Sequence, residues 1–267
     1  MVNHKGLSET VAVVTGASSG IGRATALALA RQGARVALAA RTESALRLVA
    51  DDIWALGAEA LVVPTDVTSR DEVAHLVAET LARWSCIDIL VANAGAYVRS
   101  PVVDLTVAEV ECSMAVNFYG ALFAVLAVQR HMLDRGSGHI VLVASFDAKK
   151  GLPLDAPYVA AKSALAGYGD VLRQELRGHG VHVATVFPGR VDTPLIGSLK
   201  VPPVSAKLPP QAVADAIVRA VDQERPEVII PLQARLLDLV NTLSPRLGDW
   251  VVRTLNLQGW EKTGTRD

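Results

Sequence analysis

The sequence predicts an α/β fold: a doubly wound parallel sheet of about seven strands with helices on both faces, in a single domain over 1–267. Three observations predict it. Short apolar runs alternate with longer helical stretches along nearly the whole chain. The short runs are rich in Val, Ile, Leu and Ala and apolar on both faces, as strands covered from two sides require. The first run leads into "TGASSGIG", Thr15 to Gly22, where three glycines and three hydroxyl residues make poor helix and worse strand.

In chain order, Val11–Val14 is a buried strand and Ile21–Gln32 a helix with an alanine face. Arg35–Ala40 is the second strand, Glu43–Leu56 a helix, Ala60–Val63 a strand and Asp71–Arg83 a helix. The strand Ile87–Ala92 is followed by one long helix over roughly Val107–Leu133, then the strand His139–Ala144. A helix over Pro157–Arg177, the strand Val181–Phe187, a helix over Gln211–Gln223 and the short strand Glu227–Ile230 complete the alternation. Right-handed crossovers between such units wind the sheet in both directions. The segment "PLIGSLKVPPVSAKLPP", Pro194–Pro210, is too long for an ordinary connection and reads as a substrate lid. The stretch 232–267 reads as a C-terminal helical extension. Its apolar residues recur at Leu236, Leu239/Val240 and Leu243, then at Leu247, Trp250/Val251 and Leu255. That face could cap the cleft, pack on a sister subunit or lie on a membrane surface, its mixed charges speaking against the last.

Composition sets outer bounds. The 267 residues carry 26 basic and 27 acidic side chains, a net charge of -1, which gives no electrostatic case for a nucleic-acid partner. Cys86 and Cys112 lack metal-ligand spacing and a disulfide framework, so a reducing cytoplasm is the expected location and no metal is expected. Both read as small apolar residues in or near the core. No uninterrupted apolar run reaches membrane-spanning length, and the first ten residues hold no signal-peptide segment.

The glycine loop falls on the edge from first strand to first helix. Gly16, Gly20 and Gly22 there permit a tight turn, close approach of backbone to a pyrophosphate and close helix packing. The helix N-terminus adds free N–H groups and a positive dipole. Further on, Tyr158 and Lys162 in "YVAAK" share one helical face, and an ammonium beside a phenol stabilises the phenolate. Ser145 ends the strand "HIVLVAS", where ligands of open parallel sheets gather. Asn117 is a poor helix former in the apolar stretch "MAVNFYGALFAVLAV"; buried, its amide needs partners and could hold an ordered water.

"TGASSGIG", "NAG" at Asn93–Gly95, Asn117, Ser145, the Tyr158/Lys162 pair and "PGRVDTP" at Pro188–Pro194 occur in one order. In this the sequence strongly resembles the short-chain dehydrogenase/reductase family, in its short single-domain form, over nearly the whole chain through Pro194. The resemblance implies a Rossmann fold and reversible hydride transfer between a nicotinamide cofactor and a carbonyl or alcohol. It implies that Tyr158 is the catalytic acid/base, that Lys162 lowers its pKa and grips the nicotinamide ribose, and that Ser145 orients the substrate. Asn117 would hold the water of a proton relay. Gly16, Ser18, Ser19, Gly20, Ile21 and Gly22 would cradle the phosphates. Asn93, Ala94 and Gly95 would line the cofactor, Asp66 and Val67 would meet the adenine, and Pro188, Gly189, Val191 and Thr193 would meet the carboxamide end.

The second strand ends at Ala40, where an NAD-preferring site would place an acid; Arg41 follows and can fork onto a 2′-phosphate. NADP(H) is therefore expected over NAD(H), with Glu43 near enough to complicate the choice. Phe146, Leu195 and Ile196 are expected at the substrate, which points to a bulky apolar carbonyl or alcohol. Lys149 and Lys150 could meet an acidic substrate or form a solvated loop. A homodimer or homotetramer is expected. The alternative is a nucleotide-binding regulator on the same fold; the four residues Asn117, Ser145, Tyr158 and Lys162 favour the enzyme.

Overall fold

The computed structural model describes residues 7–261, so the ends of the chain, including the last six residues of the predicted C-terminal extension, lie outside the described residues. The strands are β1 (Val11–Thr15), β2 (Arg35–Ala40), β3 (Ala60–Pro64), β4 (Ile89–Ala92), β5 (Gly138–Val143), β6 (Val181–Pro188), β7 (Leu199–Lys200), β8 (Glu227–Ile230) and β9 (Trp260–Glu261). Seven of them form one parallel sheet in the order β3-β2-β1-β4-β5-β6-β8. The helices are α1 (Gly20–Arg31), α2 (Glu43–Ala55), α3 (Arg70–Trp84), α4 (Val107–Met114), α5 (Gly120–Arg135), α6 (Ala156–Glu175), α7 (Pro210–Asp222), α8 (Ala234–Leu243) and α9 (Pro245–Thr254).

Alternation along β1 shows how the sheet is covered on both faces. Ala12 and Val14 join the core that holds Leu29 of α1, Leu46 and Ile53 of α2 and Ile217 of α7. Val11 and Val13 join the opposite core, with Leu76 of α3, Val125 and Met132 of α5 and Leu165 of α6. Each such fully buried Leu or Ile contributes roughly 1.5–3 kcal/mol. The strand order reverses between β1 and β4, which opens a crevice at their carboxyl ends, where open α/β sheets bind ligands. The edge strand β3 departs from expectation: Ala60, Leu61 and Val62 are only partly buried, because among the described residues no further strand covers that edge.

The long helix expected over Val107–Leu133 is interrupted. Thr106 and Glu109 close a capping box at its start. After the eight residues of α4, Ala115–Tyr119 is π-helical, with the Gly120 N–H reaching back to the Ala115 carbonyl. The stretch Val107–Arg135 is, by length and composition, apolar enough to cross a membrane. It lies instead against the sheet, with Ala121, Ala124, Val125, Val128 and Met132 buried.

The segment Pro194–Pro210 holds more regular structure than its sequence suggests. It contains 3₁₀ turns at Pro194–Ile196 and Pro203–Ser205, and β7 pairs antiparallel with β9 of the C-terminal segment. After β8, α8 and α9 turn an apolar stripe outward: Leu236, Leu239 and Leu243 are exposed while Gly248 and Val252 are buried.

Candidate active site

The crevice is a cleft of about 750 Å³ over the carboxyl ends of the strands. At its floor, Gly16 and Gly20 adopt positive φ angles of 66° and 54°, which other residues reach only with strain. A Cβ on Gly16 would lie 2.9 Å from Ala94 Cα, and one on Gly22 would lie 2.2 Å from the Gly16 carbonyl oxygen. Thr15 locks this loop to the end of β4: its hydroxyl accepts the N–H groups of Asn93 (3.0 Å) and Ala94 (3.1 Å). The Asn93 amide donates to the Thr15 carbonyl at 2.9 Å. Ser19 is the N-cap of α1 but makes no side-chain cap, which leaves the first N–H groups of the helix for an anion. A bare glycine turn facing uncapped amides suits a pyrophosphate, and Ser18, Ser19, Gly20 and Ile21 all line it.

Beyond the loop, Arg41 and Asp66 line the same cleft. The Thr68 backbone N–H (2.9 Å) and hydroxyl (2.8 Å) donate to Asp66 and hold its carboxyl below the usual range, with the Arg41 charge adding to this. Glu43 is engaged by Arg47 at 2.5 Å.

At the other end, β5 delivers Ser145 and α6 delivers Tyr158 and Lys162, all three buried and all lining the cleft. Lys162 Nζ donates to the Val143 carbonyl at 2.8 Å, and burial pulls its ammonium down to about 8. Its Nζ lies 5.8 Å from the Tyr158 ring centre. The expected lowering of the Tyr158 phenol is not what its surroundings produce. Burial raises it, the charges of Asp147 and Asp155 raise it further, and only the Ser145 hydroxyl opposes them. A phenol so placed holds its proton and can donate it to an oxygen that gains negative charge.

Asn117 is fully buried in the π turn, and its side chain meets protein groups rather than a cavity. Its Nδ2 donates to Ala96 O (2.8 Å) and to Ser113 O (3.0 Å) or Oγ (3.1 Å), while Oδ1 accepts the Ala96 N–H at 3.1 Å. Both amide hydrogens thus have partners. The side chain pins the loop after β4 beside Gly95, and a relay water would need backbone groups of the turn instead.

Most other expected residues also reach the cleft: Val67, Asn93, Ala94, Gly95, Pro188, Gly189, Val191, Thr193, Leu195 and Ile196 line it. Phe146 does not. It packs in the core against Ala144, Phe187 and Ile229, because the 3₁₀ turn after Ser145 sends its side chain inward and leaves the next one, Asp147, facing the cleft. Lys149 pairs with Glu227 at 2.9 Å and Lys150 with Asp249 at 2.5 Å, so they anchor the loop to β8 and α9. Cys112, expected near the core, is exposed and lines the cleft.

Sequence reasoning missed a buried charged group behind Tyr158. Asp155, fully buried, accepts from Arg99 Nε at 2.9 Å. Tyr97 packs edge-on against Tyr158, ring centres 5.0 Å apart. Arg190 holds Ser205 Oγ at 3.1 Å and the Leu257 carbonyl, and Arg99 holds the Gln258 carbonyl at 3.1 Å. The only available signal was the arginine four residues after "NAG" and the one directly after "PG".

Fold and cleft together define a doubly wound Rossmann domain whose cleft ends in a Ser/Tyr/Lys group. The sequence model described as short chain dehydrogenase matches residues 10–201. The chain belongs to the short-chain dehydrogenase/reductase family and is an oxidoreductase of that type. It is 33% identical to a "dehydrogenase/reductase SDR family protein 7-like" of Drosophila melanogaster, over 96% of this chain and 83% of that protein. It is 32% identical to the ketoacyl reductase HetN of Nostoc sp., over 92% of this chain and 89% of that one. An alcohol dehydrogenase of Thermococcus sibiricus, solved with 5-hydroxy-NADP, superposes with a TM-score of 0.77 at 28% identity. The match covers 84% of this chain and 96% of that one. Actinorhodin polyketide ketoreductase, solved with NADPH, gives 0.77 at 28%, covering 86% and 97%.

Proposed function

We propose that this enzyme is an NADP(H)-dependent carbonyl reductase or alcohol dehydrogenase acting on a ketone or secondary alcohol with a bulky apolar body. The observation that carries the reading is the alignment of Ser145, Tyr158 and Lys162 at one end of a cleft whose other end is the bare glycine cradle. The bound nicotinamide nucleotide supplies the hydride. Gly16, Gly20 and the α1 amides hold its pyrophosphate. Ser145 hydrogen-bonds the substrate oxygen, and Tyr158 Oη delivers the proton to that oxygen as it becomes an alkoxide. Lys162, held by Val143, would meet a ribose hydroxyl of the nucleotide and favour the phenolate once the proton has left.

The preference for NADP(H) rests on Arg41. No acid stands at Ala40, and Glu43 is drawn away by Arg47, so the Arg41 guanidinium is left to fork a 2′-phosphate. The two solved neighbours with NADP-type cofactors agree with this. Leu195, Ile196 and Leu199 line the substrate end, which supports the apolar body. The test follows NADPH and NADH absorbance across small and bulky ketones, aldehydes and quinones, then NADP⁺ reduction with secondary alcohols. Turnover of a bulky ketone with NADPH ahead of NADH is expected. Oxidation of neither cofactor by any carbonyl would leave the nucleotide-binding regulator as the reading.

A further inference from the structure

The substrate end of the cleft is apolar on one wall and carries a carboxylate on the other. Asp147 lines it, two residues beyond Ser145, with its backbone N–H donating to Ser145 Oγ at 3.1 Å. The Ser145 hydroxyl lies within reach of both the Asp147 carboxylate and the Tyr158 phenol. The carboxylate is therefore one hydroxyl away from the place where the reacting oxygen must sit. It makes no ion pair among the described residues, although burial and the neighbouring Asp155 charge make its ionisation costly, raising it to about 7. The Arg190 and Arg99 charges and the Ser145 hydroxyl work the other way. With the Ser145 hydroxyl as a side-chain donor, a two-oxygen carboxyl facing the cleft keeps acceptor capacity for a ligand.

The surrounding charges decide which ligand group that capacity suits. Arg99 is taken by Asp155 and the Gln258 carbonyl, and Arg190 by Ser205 and the Leu257 carbonyl. Both guanidiniums nevertheless act on Asp147, so its carboxyl already faces cations. It calls for a neutral hydrogen-bond donor rather than a cation. We propose that Asp147 is a specificity-determining residue that accepts a hydrogen bond from a hydroxyl on the carbon next to the reacting carbonyl. The preferred substrates are then α-hydroxy ketones, or vicinal diols in the reverse direction, with an apolar remainder against Leu195 and Ile196. This rests on the carbonyl-reductase reading and narrows its substrate class.

The experiment compares α-hydroxyacetophenone with acetophenone, which share the apolar body and differ by one hydroxyl. Calorimetry with the enzyme, in the presence of NADP⁺ and in its absence, measures binding where neither ketone can turn over; initial rates with NADPH give kcat/KM. Wild type should favour the hydroxy ketone by roughly 10-fold or more in both measures, as a hydrogen bond to a charged acceptor provides. Asp147→Leu should bring the ratio to within about twofold. Asp147→Asn, which keeps a neutral acceptor in the same shape, should fall between them, and thermal melts establish that each variant is folded. No preference in wild type, no binding of either ketone, or an unchanged ratio in Asp147→Asn and Asp147→Leu overturns the proposal. A binding preference that depends on Asp147 without any cofactor oxidation would instead overturn the reductase reading, and with it the substrate class, while keeping the Asp147 hydroxyl contact.

Discussion

Lys162 Nζ donates to the carbonyl of Val143 at 2.8 Å, and both residues are 3% exposed. The bond ties the helix that carries Tyr158 to the strand that carries Ser145. It also keeps an ammonium where water cannot reach it, which is why its pKa falls from 10.5 to about 8.

That burial has a pH signature. The unfolded lysine keeps its proton to a higher pH than the folded one, so folding costs stability at pH 7. The cost fades as pH rises from about 8 toward 10.5. Between pH 7 and 10, wild type should gain about 2 kcal/mol relative to Lys162→Met. Urea unfolding of both proteins at the two pH values reads the difference. A gap that does not change with pH would mean that the amine is not buried as a charge.

Tyr158 should act as an acid that keeps its proton across the neutral range. Burial and the carboxylates of Asp147 and Asp155 hold its phenol up. Tyr158→Phe should lower kcat for ketone reduction by about 10²–10⁴-fold, the usual contribution of a general acid. Cofactor binding, read by fluorescence titration, should survive because the ring remains. Near-normal turnover in this variant would remove the phenol from the chemistry.

Arg47 takes the Glu43 carboxylate and so leaves Arg41 as the charged group at the end of β2. Arg41→Ala should weaken NADPH binding by about 1.5–3 kcal/mol, the value of a hydrogen bond to a charged group. NADH binding should change little. Equal losses for both cofactors, or a wild type that prefers NADH, would contradict a 2′-phosphate contact.

How far these residues were legible in the sequence depends on how local their determinants are. Strand β8 has the predicted bounds because Pro226 and Pro231 enclose a run of four residues, three of them apolar. Strand β2 was equally clear between Gly33 and Arg41. The glycine loop and the Tyr158/Lys162 spacing are local too, and both fell where expected. The π turn was not legible, since its extra residue depends on Asn117 reaching Ala96, 21 positions away. Arg99 and Asp155 meet across 56 positions, and no periodicity announces that. The choice between Phe146 and Asp147 turned on one pair of backbone angles after Ser145. Alternation no longer decides which neighbour faces the cleft once a strand gives way to a 3₁₀ turn.

Asn117 should prove to be a structural anchor as well as a neighbour of the reaction. Asn117→Ala leaves the Ala96 N–H, the Ala96 carbonyl and the Ser113 carbonyl without that partner. A loss of at least about 2 kcal/mol in urea unfolding is expected from such unsatisfied buried groups. The loss should come with a raised KM for cofactor, because the Asn93–Gly95 loop beside it lines the cleft. A variant as stable as wild type would show that water satisfies these groups equally well.

The segment Pro194–Pro210 follows Thr193, whose methyl group would lie 2.8 Å from a Cβ on Gly20. Its start lies close to the place where the reacting carbon must be. Leu195 and Ile196 line the cleft from a 3₁₀ turn, and Leu195 is 44% exposed, as a side chain waiting for a partner would be. Beyond them the segment is held at several points: Lys207 Nζ donates to the Ile196 carbonyl at 2.7 Å, Leu199 is buried, and β7 pairs with β9. These tethers hold the backbone, the Ile196 carbonyl of the turn included, so the Leu195 and Ile196 side chains are the part that can adjust to a ligand and should discriminate by size. Leu195→Ala and Ile196→Ala should each lower kcat/KM for a bulky ketone by roughly 10-fold or more, as the loss of a buried apolar contact implies. For acetone the change should stay within about threefold, since it is too small to touch them. Steady-state kinetics on the two ketones with both variants provides the comparison. Equal effects on the large and the small ketone, or none on either, would make the segment a static connector.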